Sequence, residues 1–388
     1  MQEAPKNRMH YFIQKALKLE KTAKHFSLLT KKIKLYTPLS KHLDRKLNSK
    51  IINLITNGDN RVFIAVKNIN WEKAGLVDSW KNIADFEHWD WGDTYDQHSA
   101  NWYNEQKIKF NAELLARVTQ SHKKKPFTHF FSYLSGRWLY PDTIKKINAL
   151  GIITINFSFD DAHRFWGKKK QGIWTGVASI AKFFDLNVTA QQKSDQVKYS
   201  LVGARSIYTP PGGNAQAFNI QNNNKKKCFV SFVGQSYGAR SAFISYLREN
   251  NIQVCTYGLG WPEGPVSHSQ MLDIYSSSFV VLGFGYTGTN LNPTKTALKG
   301  RDFEIPFTGT AYLTSFNNDL ADHFNENEEI LFYRSKEDAL KLLQSYMYTP
   351  ERLISIGENG KQKALANHQW EDRWKFILKY IHDSIKQP

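Results

Sequence analysis

The chain has 388 residues, 41% of them hydrophobic and 22% charged, which is the composition of a folded protein too long for one core and implies two domains. Two cysteines exclude a disulfide framework or a Cys-rich zinc centre and suggest a reducing cytoplasm. No apolar run reaches the roughly 18–20 residues of a membrane span, and the first residues lack a secretory pattern. Net charge is +17, and residues 1–50 hold 13 Lys and Arg against three acids. That stretch is expected to be a basic helical leader (residues 1–58), either solvated or lying on an anionic membrane surface as a peripheral contact. No nucleic-acid-binding motif accompanies the charge, so nucleic acid is not an expected partner.

From residue 59 short β-rich runs alternate with helical ones. Strands are expected at 61–67, 86–91, 128–133, 152–157, 186–190 and 206–209, with helices at 71–81, 101–123 and 141–150. The last begins with Pro141 in its first turn and stops at Gly151. Residues 210–227, PPGGNAQAFNIQNNNKKK, form a linker rich in Pro, Gly and Asn. Alternation then restarts, with strands at 228–233, 253–257, 279–284, 311–314 and 330–333. Helices are expected at 239–249, 267–276, 302–308 and 336–345, and from Pro350 onward with a break near Gly360. The pattern predicts an α/β protein of two doubly wound, Rossmann-like parallel sheets, spanning 59–212 and 222–365. Their ligand site would be the cleft between them. A last helix, 366–388, would pack back on the first domain.

Four stretches can carry chemistry. In FVSFVGQSYGAR, Gly234 ends a strand and Arg240 enters a helix, where an anionic ligand would offset the cation; alternatively, and by itself the plainer reading, the stretch is an ordinary strand–helix turn. In CTYGLGWPEG, Gly258 gives a permissive backbone, and Trp261 could stack on a base or simply pack. In KGRDFEIPFTGTAYLT, Arg301 can fork onto a diphosphate and Glu304 can accept sugar or ribose hydroxyls; alternatively the two merely brace the turn, an arrangement worth about 0–1 kcal/mol at a surface. Gly309 and Thr310 end that helix and start a strand. In NFSFDDAHRF, Asp160, Asp161 and His163 offer a general base at a strand's carboxyl end; a helix cap and an exposed His is the equal alternative. No metal-ligand spacing is present, and no cofactor is expected.

FVGQSYGAR, YGLGWPEGPVS, LKGRDFEIPFTGTAYLT, NENEEILFY and HQWEDRW come in an order that resembles the CgeB-like, spore-maturation-type glycosyltransferases of the GT-B class, over roughly residues 128–375. The resemblance implies a GT-B fold with an acceptor-side first domain and a second domain that binds the nucleotide-sugar donor without a metal. It implies that Gly234 and Arg240 lie near the donor phosphates, Gly258 and Trp261 near the nucleotide, Arg301 on the diphosphate and Glu304 on the ribose or sugar. One departure stands out. Many retaining enzymes of the class carry a Glu-x7-Glu pair; here the first position is Thr296.

The expected activity is therefore sugar transfer from a nucleotide-sugar donor to a hydroxyl on a bacterial surface glycan or lipid-linked acceptor. The rival readings are a same-fold nucleotide-sugar epimerase and a non-enzymatic polyanion-binding protein.

Overall fold

A computed structural model describes residues 39–69, 72–170, 172–218, 220, 225–286 and 296–386. Most of the basic leader, residues 1–38, lies outside them. The first sheet holds β1 (Arg61–Ala65), β2 (Asp85–Trp89), β3 (His129–Ser132), β4 (Ile153–Ser158), β7 (Leu186–Thr189) and β8 (Ser206–Tyr208). Its order is β2-β1-β3-β4-β7-β8, all parallel. A two-stranded hairpin, β5 (Lys169–Lys170) with β6 (Ile173–Trp174), stands apart from it. The second sheet holds β9 (Cys228–Val233), β10 (Val254–Tyr257), β11 (Ser278–Leu282), β12 (Ala311–Ser315) and β13 (Leu331–Tyr333). Its order is β10-β9-β11-β12-β13, again all parallel. Every predicted strand exists. β3, β4 and β7 are buried along their whole length, as parallel strands covered on both faces must be.

Four expectations change. Residues 39–56, assigned to the leader, are two helices, Leu39–Lys46 and Ser49–Thr56, built into the first domain. Leu39, Leu43, Ile51 and Ile55 of these helices, and Leu47 between them, are buried in the same core as Ile377 and Ile381. Lys46 and His42 also reach down to Asp185, which is 1% exposed; His42 Nε2 lies 2.6 Å from it. Burial would raise that carboxyl, but the Lys46 charge and the hydrogen bonds outweigh it and hold it at about 2. The expected helix 71–81 is a π turn, Lys73–Val77, followed by a 3-10 turn, Asp78–Trp80. The helix Pro350–Asn367 runs straight through Gly360. A Cβ there would lie 2.5 Å from the Glu329 carbonyl oxygen, so the glycine serves close packing rather than a break. Finally, Cys228 and Cys255, whose small number suggested a reducing cytoplasm, are joined to each other by a disulfide.

The chain crosses between domains twice, and the crossings are stitched together. Gly213 N–H donates to the His368 carbonyl at 2.8 Å, and Trp370 N–H returns to Gly213 O at 2.9 Å. Arg373 donates to Pro211 O through Nε (3.3 Å) and Nη2 (3.2 Å), and to Asn367 O through Nη1 (3.0 Å). The last helix, Trp370–Lys386, thereby returns to the first domain. There Trp374 stacks on Trp80 at 4.8 Å and donates its indole N–H to Ser79 Oγ at 2.6 Å. Trp374→Ala should therefore cost about 3–5 kcal/mol, the range for losing a buried aromatic. A denaturant titration would read it as a lowered midpoint; an unchanged midpoint would mean the crossing helix is dispensable.

Candidate functional site

The site lies at the carboxyl edges of both sheets. In the second sheet the strand order reverses between β9 and β11, which is where ligands of such sheets bind. At the end of β9, Gly234 leaves room for Arg301: a Cβ there would be 3.2 Å from Arg301 Nη1. Arg301 Nη1 donates to Val233 O at 3.1 Å, so the guanidinium lies across the strand end. Gly258 has φ +125°, and a Cβ on it would meet the Gly234 carbonyl oxygen at 2.5 Å. Trp261 donates its indole N–H to that same oxygen at 2.9 Å and sets its ring edge-on to Phe232. Gly258 and Trp261 thus form a packed corner that holds Gly234, rather than a free stacking platform.

Arg301 belongs to the short helix Gly300–Glu304, which passes into a 3-10 turn, Pro306–Thr308. The single predicted helix divides there because Pro306 has no N–H to continue it. Buried Asp302 fastens the turn: it accepts from Lys299 N–H at 2.7 Å and from the Tyr312 hydroxyl at 2.7 Å, and burial raises it to about 6. Gly309 follows in the left-handed region at φ +73°. Thr310 is 2% exposed and its hydroxyl donates to Tyr275 O at 2.9 Å. A Cβ on Gly357 would sit 2.3 Å from Gly309 O. Gly309 and Thr310, assigned to the donor side from sequence, thus set this turn, with the Thr310 hydroxyl engaged by Tyr275 O.

Three cations, Arg240, Lys299 and Arg301, act on one another electrostatically here. Arg240 opens the helix Arg240–Glu249 and donates to Gln235 O at 3.0 Å, with its guanidinium 4.1 Å over the Tyr237 ring. Burial lowers its pKa, and Arg301 lowers it further. Lys299, which sequence reading passed over, is lowered by burial; Asp302 and Asp160 pull the other way, and Arg301 and Arg240 add to the fall. Among the described residues none of Lys299, Arg301 and Arg240 has an ion-pair partner within 4.0 Å. The bracing Arg301–Glu304 ion pair allowed by the sequence is thus not formed. Glu304 stands beside this cluster and is raised to about 7, first by burial, against the pull of Arg301, with Glu72 and Asp302 adding.

The first domain supplies the facing wall. Gln191 O accepts from Leu298 N–H at 3.2 Å, which ties the loop after β7 to the stretch before Lys299. Asp160 is half exposed; His163 Nε2 and Arg164 Nη1 each lie 4.0 Å from its carboxylate oxygens. His163 is lowered by burial, with Asp160 opposing and Arg164, Lys299 and Lys198 assisting. Asp161 is a different case. It is 1% exposed, accepts from Ser158 Oγ at 2.6 Å and Tyr199 OH at 2.7 Å, and is raised by burial to about 6. Of the three candidate bases, Asp161 is therefore a buried anchor and Asp160 and His163 face the cleft. Glu72, buried after β1, acts electrostatically on both Tyr133 and Glu304, and it too was missed. The signal for Lys299 was present, since Lys299-Gly300-Arg301 puts two cations at the mouth of one turn. Glu72 is brought in only by tertiary structure. Among the described residues no group of three or more His, Cys, Asp or Glu could hold a metal ion.

Residues 240–379 match a family model described as "Glycosyl transferase-like". No curated protein matches the chain. Among solved structures it is similar to sucrose-phosphate synthase from Thermosynechococcus elongatus at 10% identity, over 84% of this chain and 100% of that one, with a TM-score of 0.57. A glycosyltransferase from Rickettsia africae gives 10% identity, coverage of 85% and 100%, and 0.57. Alr3699/HepE of Anabaena, in complex with UDP and glucose, gives 9% identity, coverage of 83% and 100%, and 0.54. The chain has the GT-B fold, two Rossmann-like domains facing across a cleft, and its second half carries glycosyl transferase-like sequence.

Proposed function

We propose that the protein is a glycosyltransferase that moves a sugar from a nucleoside diphosphate sugar to a hydroxyl acceptor. The observation that carries this is the cluster Lys299, Arg301 and Arg240, three cations without ion-pair partners among the described residues, set opposite Asp160 and His163. A diphosphate supplies the missing negative charge. In the reaction the bond from the sugar's anomeric carbon to the diphosphate oxygen breaks and a bond to the acceptor oxygen forms. The acceptor's proton goes to Asp160 or His163, and charge developing on the leaving diphosphate falls among the three cations. Glu304, beside Arg301, would accept hydroxyls of the ribose or sugar. The crystallised complex of HepE with UDP-glucose is in keeping with such a donor. The CgeB-like motifs favour a surface-glycan or lipid-linked acceptor.

The test is nucleotide release from a panel of nucleotide sugars, with and without EDTA and with candidate acceptors. Acceptor-dependent release is expected. Conversion of the donor alone into an isomer would instead mark an epimerase. Asp160→Asn and His163→Ala bear on the base. The one that carries the proton should lose about 10²–10⁴-fold in kcat with little change in donor KM. If neither variant loses kcat, the base lies elsewhere.

A further inference from the structure

We propose that the β5–β6 hairpin is a docking surface for an anionic lipid bilayer. Residues 166–176, WGKKKQGIWTG, contain three lysines and no acid. Lys168, Lys169 and Lys170 are exposed, and among the described residues none of them forms an ion pair. Ile173 is 57% exposed beside them. Lys169 Nζ lies 5.1 Å over the Trp174 ring, which in turn sits 6.0 Å from Trp166. The register pairs Lys170 with Ile173 and Lys169 with Trp174, so one face of the hairpin carries a cation beside an exposed apolar side chain and the other a cation beside an indole. Entering a bilayer edge-on, the two faces together match its interfacial zone: headgroup charge, acyl boundary and the aromatic belt between them. A soluble polyanion would satisfy the lysines and leave Ile173 in water, so the bilayer is the better fit.

The hairpin presents these groups on a firm base. Gly176 N–H donates to Trp166 O at 3.0 Å, Thr175 N–H to Lys168 O at 2.9 Å, and Gly136 N–H to Gly176 O at 3.1 Å. Lys168 N–H closes the turn on Thr175 Oγ1 at 2.9 Å. A Cβ on Gly176 would lie 2.2 Å from Phe165 O, so the base admits no side chain. These bonds fix the base of the hairpin before it binds, which favours a surface of only a few residues. The hairpin also follows directly on the helix Asp161–Arg164, at the carboxyl edge of the first sheet. Docking there brings Asp160 and His163 to the membrane, where an acceptor hydroxyl on a lipid-linked molecule can reach them. That last consequence rests on the transferase reading; the docking itself does not.

The experiment is vesicle co-sedimentation of the full chain without nucleotide, using phosphatidylcholine alone or with about a quarter phosphatidylglycerol, at about 0.1 M salt. Wild type should bind only the anionic vesicles. K168Q/K169Q/K170Q should bind about 100-fold more weakly, and Ile173→Ser about tenfold more weakly. An unchanged melting temperature shows the variants fold, and nucleotide-induced shifts on the same samples read the transferase site separately. Triple-variant binding equal to wild type would overturn the proposal and assign membrane contact to other basic residues, such as 1–38. So would wild type that ignores anionic vesicles but is retained by dextran sulfate, which would assign the hairpin to a soluble polyanion.

Discussion

Arg301→Ala is expected to lower kcat/KM by about 10²–10³-fold, the usual loss when one preorganised charge on a leaving group is removed. The residue lies across the end of β9, anchored by its bond to Val233 O, with Gly234 keeping the approach open. Arg301→Lys should recover little, because a lysine cannot both hold Val233 O and fork onto a phosphate. The fold should survive. The bond to Val233 O contributes about 1 kcal/mol, and the substitution relieves repulsion from Arg240 while losing the attraction of Glu304 and Asp302. A variant with normal turnover would remove Arg301 from the site. One that loses activity only because it unfolds would show a much lower melting temperature without ligand.

Glu304→Gln should change the pH dependence of both stability and binding. In the folded protein Glu304 titrates at about 7, whereas its ordinary value is 4.5. Between those values the unfolded chain has released the proton and the folded one still holds it, so the folded state binds more protons. Stability from this residue is therefore complete below about pH 4.5 and lost as pH rises to about 7, an effect of at most about 3 kcal/mol. The Gln variant should show a flatter stability profile across that window. Binding runs the other way, because ionised Glu304 is the better acceptor of ribose or sugar hydroxyls. Wild-type donor affinity should rise as pH increases through 7. The variant should be about 10–100-fold weaker above that point, with little pH dependence. If the variant keeps the wild-type slopes, Glu304 is not the titrating group.

Much of the frame was legible because parallel sheets write themselves into sequence as short buried runs between helices. The reading erred where long-range packing decided the role of a residue. Leu39, Leu43, Leu47, Ile51 and Ile55 recur every four residues, a plain helical stripe, but the surrounding charge masked it. Gly360 looked like a helix breaker because nothing local shows that the Glu329 carbonyl will press against it. In the site, Arg240 and Glu304 each act electrostatically on Arg301, a proximity that only the tertiary structure shows. Asp160 and Asp161 are adjacent letters with opposite fates, separated only by the turn that buries one against Ser158 and Tyr199. Trp261 had two readings, and its bond to Gly234 O uses the indole N–H for packing.

The central claim is that Lys299, Arg301 and Arg240 form a diphosphate clamp. The most direct measurement is the melting temperature of the purified protein with UDP, GDP, CDP, ADP and dTDP, each beside its monophosphate and nucleoside, in EDTA. At least one diphosphate should raise it clearly, its monophosphate less and its nucleoside hardly at all, and Arg301→Ala should abolish the difference. A response to no diphosphate, or one equal for diphosphate and nucleoside, would contradict the clamp and with it the donor site.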